Sequence, residues 1–202
     1  MAHLVFTFVM AIVFFGGFVA CIAETGSSLI ALKYNEGVVI GTDSRRLQGP
    51  YIFNNEAEKG IFINDDICII TTGNDPESQW ICERTKYWLE EYEMIYQRKP
   101  TVKNAAKVVQ NLCYTAFEQG TEVPRTVVCA GYNPREKKGE VYTITGSGAL
   151  FEENVSANGV GAPFLLAHCN QNYRPGLGAG EGEALARAAL ASAAAVDGRT
   201  GG

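Results

Sequence analysis

Gly26-Ser27-Ser28-Leu29-Ile30-Ala31-Leu32-Lys33-Tyr34-Asn35-Glu36-Gly37-Val38-Val39-Ile40-Gly41-Thr42-Asp43-Ser44-Arg45 reads as a tight β-hairpin with a hydroxyl residue at one end and Asp-Ser-Arg at the other. Two apolar, strand-forming runs flank the turn residues Asn35-Glu36-Gly37. A turn centred near position 35 makes opposed positions sum to about 70, which sets Ser27 across from Asp43. Gly26, a small residue directly before the hydroxyl, marks a candidate cut. Cutting Gly26–Ser27 leaves a serine that carries both a nucleophilic hydroxyl and a free amine.

An N-terminal serine can use its own α-amine as general base, because that amine titrates at about 7.7–8.0 and is partly neutral at pH 7. The site then needs a cation beside the hydroxyl and a carboxylate to hold the cation. Lys59 follows Asp43 by 16 residues, as Asp43 follows Ser27. A second reversal near Gly49-Pro50-Tyr51 brings Lys59 back beside Asp43. Taken singly, each residue has a plain structural reading: a surface serine, a strand-end turn, a solvated lysine. The joint spacing is what favours a site.

The 202 residues make one domain with a short appendage, and 47% apolar content supplies a core. A net charge of −5, with no basic stripe, argues against a nucleic-acid partner. Cys21, Cys68, Cys82, Cys113, Cys129 and Cys169 include no C-x-x-C pair and read as free thiols of a reducing compartment. His3 and His168 are too few for a multi-His metal site, and a Ser-His-Asp triad at His168 lacks a nucleophile elbow. No metal or cofactor is expected. Residues 4–23 are apolar and uncharged, long enough for a bilayer span or a secretory signal, but no Lys or Arg precedes them. The alternative is a propeptide discarded at Gly26–Ser27.

Downstream, Tyr51–Asn54 and Gly60–Asn64 read as short extended segments, and Ile67–Thr72 as a strand buried on both faces. Asp75-Pro76-Glu77 starts a helix whose periodic face is Ile81, Thr85, Trp88, Tyr92 and Ile95. Thr101 caps a second, with Val102, Ala105, Val109, Leu112, Ala116 and Phe117 on one face and Gly120 at its end. Strands follow at 125–132, 139–145 and 155–159, then an Ala-rich helix at 181–196. The predicted order is strands, two helices, strands, one helix, with one helical layer over a sheet.

Taken together, Gly26-Ser27-Ser28, Gly37-Val38-Val39-Ile40-Gly41-Thr42-Asp43-Ser44-Arg45, Tyr51-Ile52 with Lys59, the break at Gly73, Tyr173-Arg174 and Asp197-x-x-Thr200-Gly201-Gly202 resemble a β-type subunit of the 20S proteasome, among the N-terminal-nucleophile hydrolases. The resemblance covers about residues 26–202 and is nearest to the caspase-like catalytic β subunit, through Gly49-Pro50-Tyr51-Ile52 and Leu112-Cys113-Tyr114. It implies an α/β (α+β) fold, the four-layer α-β-β-α sandwich, with 1–26 as leader or propeptide and 27–202 as the subunit domain. It implies a cytoplasmic and nuclear threonine-type endopeptidase in a stacked assembly of seven-membered α and β rings, acting on polypeptides. The implied catalytic residues are Ser27, Asp43, Lys59, Gly73 (oxyanion donor), Asp197 and Thr200, the last two positioning the amine. Gly26 and Ser27 flank the propeptide cut, Arg46, Leu47, Thr71 and Asp75 fall at the substrate pocket, and Arg45 is structural.

Three departures stand out. The nucleophile is serine where the family has threonine. Asn158-Gly159-Val160-Gly161 aligns with the family's Gly-Ser-Gly, so Val160 stands where a hydroxyl would contact the amine. The family continues past its double glycine, so a fragment or a truncated gene model is expected. Thr71 replaces the basic residue of the caspase-like pocket, so selection of acidic residues is not expected. The runner-up function is a β subunit that assembles without cleaving; a third reading is a secreted or membrane-tethered hydrolase.

Overall fold

The computed structural model describes residues 26–48, 51–72 and 75–202. The opening hairpin is β1 (Ser28–Tyr34) and β2 (Gly37–Thr42). A second hairpin, β3 (Arg46–Gln48) and β4 (Tyr51–Asn54), follows, then β5 (Gly60–Asn64) and β6 (Ile67–Thr72). Helices α1 (Asp75–Tyr96) and α2 (Val102–Glu118) separate these from β7 (Thr126–Asn133), β8 (Lys138–Thr145), β9 (Leu150–Glu152) and β10 (Val155–Gly159). Helices α3 (Ala162–Asn172) and α4 (Ala179–Val196) complete the order.

Two antiparallel sheets, β10-β1-β2 and β5-β6-β7-β8-β9, form the middle of the molecule. Side chains alternate across a strand, so each sheet offers two apolar faces. Leu29 and Ala31 of β1 meet Cys68, Ile70, Val128, Ala130 and Val141 between the sheets. Ile30 and Leu32, on the opposite face, pack under Leu165 of α3 and Ala186, Ala189 and Ala193 of α4. Ile69, Val127, Cys129 and Ile144 face Ile81 of α1 and Val102, Ala105 and Val109 of α2. The result is the expected four-layer α-β-β-α sandwich. Ile67–Ile70 of β6 are all buried, in accord with burial on both faces.

The Thr101 cap is present, closed into a capping box with Asn104, and Gly120 ends α2 at φ 66°, where only glycine is unstrained. Several expectations need correction. The β1–β2 turn has two residues, Asn35 and Glu36, so its centre falls between them. Opposed positions therefore run Leu29–Thr42 to Tyr34–Gly37, and Ser28, not Ser27, meets Asp43. Helix α3 was not expected: it is short, has Pro163 in its first turn and buries only Leu165 and Cys169. Strands β3 and β9, of three residues each, were too short for a period to register. The buried face of α1 is Ser78, Ile81, Cys82, Thr85 and Leu89, with Trp88 and Ile95 exposed; Phe117 of α2 is exposed too. The apolar stripe is narrower than the run of large side chains suggests.

Cys68, Cys82, Cys113, Cys129 and Cys169 are free and buried. The leader readings for residues 1–25, and Cys21, lie outside the described residues. Among the described residues no helix is long and apolar enough to cross a membrane.

Candidate active site

The hairpin ends beside a buried ion pair. Asp43 N–H donates to Ser28 O (2.9 Å), and Ser28 N–H donates to Asp43 Oδ1 (2.8 Å). The β3–β4 hairpin reverses the chain, and Ala57 N–H donates to Ser44 O (2.9 Å), anchoring the return. Lys59 then reaches Asp43 Oδ1 at 2.5 Å and Arg45 O at 2.6 Å. Their side chains are 6% and 3% exposed, so this pair is nearly out of water, where breaking it is costly. The expected meeting of Asp43 with Lys59 is present, one hairpin later, as the spacing suggested.

The segment 197–202 closes the same end. Ser44 and Arg45 donate backbone N–H bonds to Gly201 O (3.1 and 2.7 Å), and the Arg45 guanidinium holds Gly198 O (2.6 Å). Arg45 is thus a clamp. The Thr200 and Ser28 hydroxyls share a hydrogen bond of 2.6 Å, and Ser28 Oγ accepts from Gly161 N–H at 3.0 Å. Asp197 faces Arg199, whose N–H and guanidinium donate to its carboxylate. Burial raises the Asp197 pKa, but these bonds and the Arg199 charge outweigh it and hold the carboxyl below its usual range. Thr200 and Asp197 therefore contact Ser28 and Arg199 here, where the resemblance placed them at the Ser27 amine.

Ser27 itself is buried (9% exposed) and its carbonyl accepts from Val160 N–H at 2.9 Å. Gly159, at φ 91°, passes so close that a Cβ would lie 1.8 Å from Ser27 O; glycine is required there. A side chain at Gly26 would meet Leu47 at 2.8 Å and Arg199 O at 3.0 Å. The hairpin end is thus held by backbone on both sides.

Gly26, Ser27, Arg46, Leu47, Lys59 and Thr71 line one cavity of about 780 Å³, so most expected pocket residues border the expected nucleophile. Gly73 and the Asp75 side chain lie outside the described residues. Ser28 was the residue sequence reasoning missed. A register sum one unit larger would have singled it out, but nothing in the sequence ties it to Thr200 or Gly161, which meet it only in the fold.

A family model described as "Proteasome subunit" matches residues 23–202. The chain is 32% identical over 177 residues to the proteasome subunit beta type-1 of Saccharomyces cerevisiae, covering 88% of this chain and 80% of that protein. It is 29% identical to the probable proteasome subunit beta type-1 of Schizosaccharomyces pombe, over 88% and 76% of the two chains. With the proteasome subunit beta type-6 of Dictyostelium discoideum it shares 28% identity, over 89% and 82%.

Proposed function

The chain belongs to the proteasome subunit family as a β-type subunit of the 20S core particle, and from this premise we propose that it hydrolyses peptide bonds through Ser27. It assembles with other proteasome subunits; rings of seven, and residence in cytoplasm and nucleus, are part of the proposal. Residues 1–26 are then a propeptide, and cutting Gly26–Ser27 frees the catalytic amine.

In this reading Ser27 Oγ attacks the substrate carbonyl while the α-amine takes the hydroxyl proton through water. Lys59, beside the cavity, favours the developing alkoxide, and Asp43 fixes Lys59 in place. Gly73 N–H is proposed as a donor to the oxyanion. The C–N bond breaks, the leaving amine takes the proton, and water hydrolyses the remaining ester to restore Ser27. Asp197 and Thr200 act at one remove: Thr200 orders Ser28, which sits between Ser27 and the Asp43 carboxylate. The observation that carries the reading is that Lys59, held in a buried pair with Asp43, borders the same cavity as Ser27.

A non-catalytic structural role is favoured by two observations: Val160 offers Ser27 only its backbone N–H, and Asp197 is engaged by Arg199. Intact-mass measurement of the chain from purified core particles separates the two. A chain beginning at Ser27, together with peptidase activity lost in S27A particles, supports the enzyme. Retention of residues 1–26 sinks it, because the catalytic amine would not exist.

A further inference from the structure

The turn after α4 straddles Ser27. A Cβ placed on Gly26 would lie 3.0 Å from both Arg199 Cβ and Arg199 O, so the Arg199 main chain runs against the residue whose carbonyl carbon is bonded to Ser27 N. One residue on, Thr200 Oγ1 lies 2.6 Å from Ser28 Oγ. The turn thus touches the residue before Ser27 and the residue after it. Thr200 N–H donates to Asp197 O at 3.0 Å, and Asp197 N–H to Ala193 O at 2.9 Å, which ties the turn to the end of α4.

Arg199 occupies a position that the pattern Asp197-x-x-Thr200 leaves open. Its backbone N–H and its Nε both donate to Asp197 Oδ1 at 3.0 Å, and a terminal guanidinium nitrogen donates to Oδ2 at 3.3 Å. Two nitrogens of one planar group on two oxygens of one carboxylate make a fork that fixes both side chains. The Asp197 side chain is 10% exposed and that of Arg199 45%, so the carboxylate is the inner member.

The charges about Ser27 are compensated. Asp43 is paired with Lys59, and the Arg45 guanidinium is spent on Gly198 O and Asn55 Oδ1. Bordering the cavity are Arg46 and Glu58 and, on α1, Glu83 and Lys86, one of each sign in each case. Without Arg199, Asp197 would stand as an inner carboxylate with no counter-charge among the described residues. A lone carboxylate near an amine favours its ammonium form, and an ammonium cannot accept a proton.

We propose that Arg199 is a positioning residue for the Ser27 amine: by holding the Asp197 carboxylate in a fork, it presents the freed amine with a neutral pair and keeps it in the form that takes the Ser27 Oγ proton. The inference rests on the catalytic reading for the proton transfer, and on the placement of Arg199 against Gly26 and of Thr200 against Ser28 for the pairing. It gives the engagement of Asp197 by Arg199 a part in catalysis.

The test uses core particles carrying the wild-type chain, R199Q, R199K, D197N or R199Q/D197N. Acetic anhydride acetylates only the neutral amine. The yield of acetylated Ser27 peptide over a pH series, read by mass spectrometry, therefore gives the amine's midpoint independently of activity. R199Q is expected to raise that midpoint by ~0.5 pH, and D197N to lower it by a similar amount. R199K and the double substitution, which keep the charges balanced, are expected to stay near wild type. A merely structural role predicts no such opposition of sign. An unmoved midpoint in R199Q, or shifts of one sign in R199Q and D197N, overturns the proposal. If only one of these two assembles, its own shift decides by the expected sign. The acid limb of kcat/KM for a fluorogenic peptide is expected to move with the midpoint, slowing R199Q about 3-fold there. A limb that stays while the midpoint moves sustains the pairing and sinks the catalytic reading. A chain that retains residues 1–26 has no Ser27 amine and overturns both.

Discussion

Ser28 Oγ and Thr200 Oγ1 lie 2.6 Å apart, joining the first strand to the turn after α4 across 172 positions of chain. Both residues are buried, at 0% and 2% exposure, and Gly161 N–H adds a third member. Ser28→Ala leaves the Gly161 N–H and the Thr200 hydroxyl without their partner, a loss of about 1–3 kcal/mol. Thr200→Ser keeps the hydroxyl and is expected to be near neutral. Among the described residues the Ser27 hydroxyl makes no side-chain hydrogen bond, so Ser27→Ala is expected to abolish peptidase activity while leaving the melting temperature of the particle unchanged. Thermal denaturation and peptidase assays on the three variants check this; an S27A particle that melts as early as S28A counts against the division of labour.

Lys59 and Asp43 form the second pair whose removal is informative. Lys59→Met leaves the Asp43 carboxylate buried and unpaired, a destabilisation of about 3–5 kcal/mol, and is expected to lower incorporation into particles as well as activity. Asp43→Asn retains an Oδ1 acceptor for Ser28 N–H and Lys59 but leaves the Lys59 ammonium buried without its counter-charge, so incorporation falls along with the rate, by less than in Lys59→Met. Lys59→Arg is not a rescue, since a planar fork replaces a point charge that contacts Asp43 Oδ1 and Arg45 O at once. Particle yield, set beside the rate per particle, distinguishes these outcomes. An active K59M particle contradicts the proposed role of the ammonium.

Much of this arrangement was legible in the chain because it is built from short-range devices. Alternating apolar residues around Asn35-Glu36 specify the hairpin, and two turns bring Asp43 and Lys59 together at equal spacing. The register slipped by one because a two-residue turn has its centre between residues. That error exchanged Ser27 for Ser28 as the partner of Asp43. The α1 face was misjudged for another reason: Trp88 and Ile95 have helical spacing but lie off the narrow stripe of Ile81, Cys82, Thr85 and Leu89 that meets the sheet. Helix α3 gave almost no periodic signal, since only two of its side chains are buried. Long-range hydrogen bonds such as Gly161 to Ser28 leave no pattern in the sequence at all.

Ser27→Thr restores the nucleophile usual in the family. The added methyl restricts χ1, and Ser27 borders a cavity, so the methyl has room. Fixing one rotor before the transition state is worth about 0.5–1 kcal/mol, which is a rate increase of about 2- to 5-fold. Single-turnover and steady-state rates on S27T particles measure it. A rate below that of the serine chain shows that the methyl collides with the site and that the cavity wall has adapted to serine.

The buried thiols give the fold an alkaline limit. Burial pushes Cys68 and Cys113 up to about 11, and burial with the charges of Cys68 and Glu83 pushes Cys82 to about 12. In the unfolded chain thiols titrate near about 8.5. Between those values the unfolded chain releases protons that the folded chain keeps. The stability linked to these groups is therefore whole below about pH 8.5 and declines as pH rises toward 11–12. Urea midpoints of the particle-borne chain at pH 7.5, 9 and 10 are expected to fall in that order. Cys82→Ala should flatten part of the slope, which separates the thiol contribution from that of lysines and tyrosines. The same burial keeps the thiolate fraction minute at neutral pH, so iodoacetamide should label these cysteines only after unfolding. Rapid labelling of Cys82 in the folded particle at pH 7.5 would show instead that its thiol is reached without unfolding.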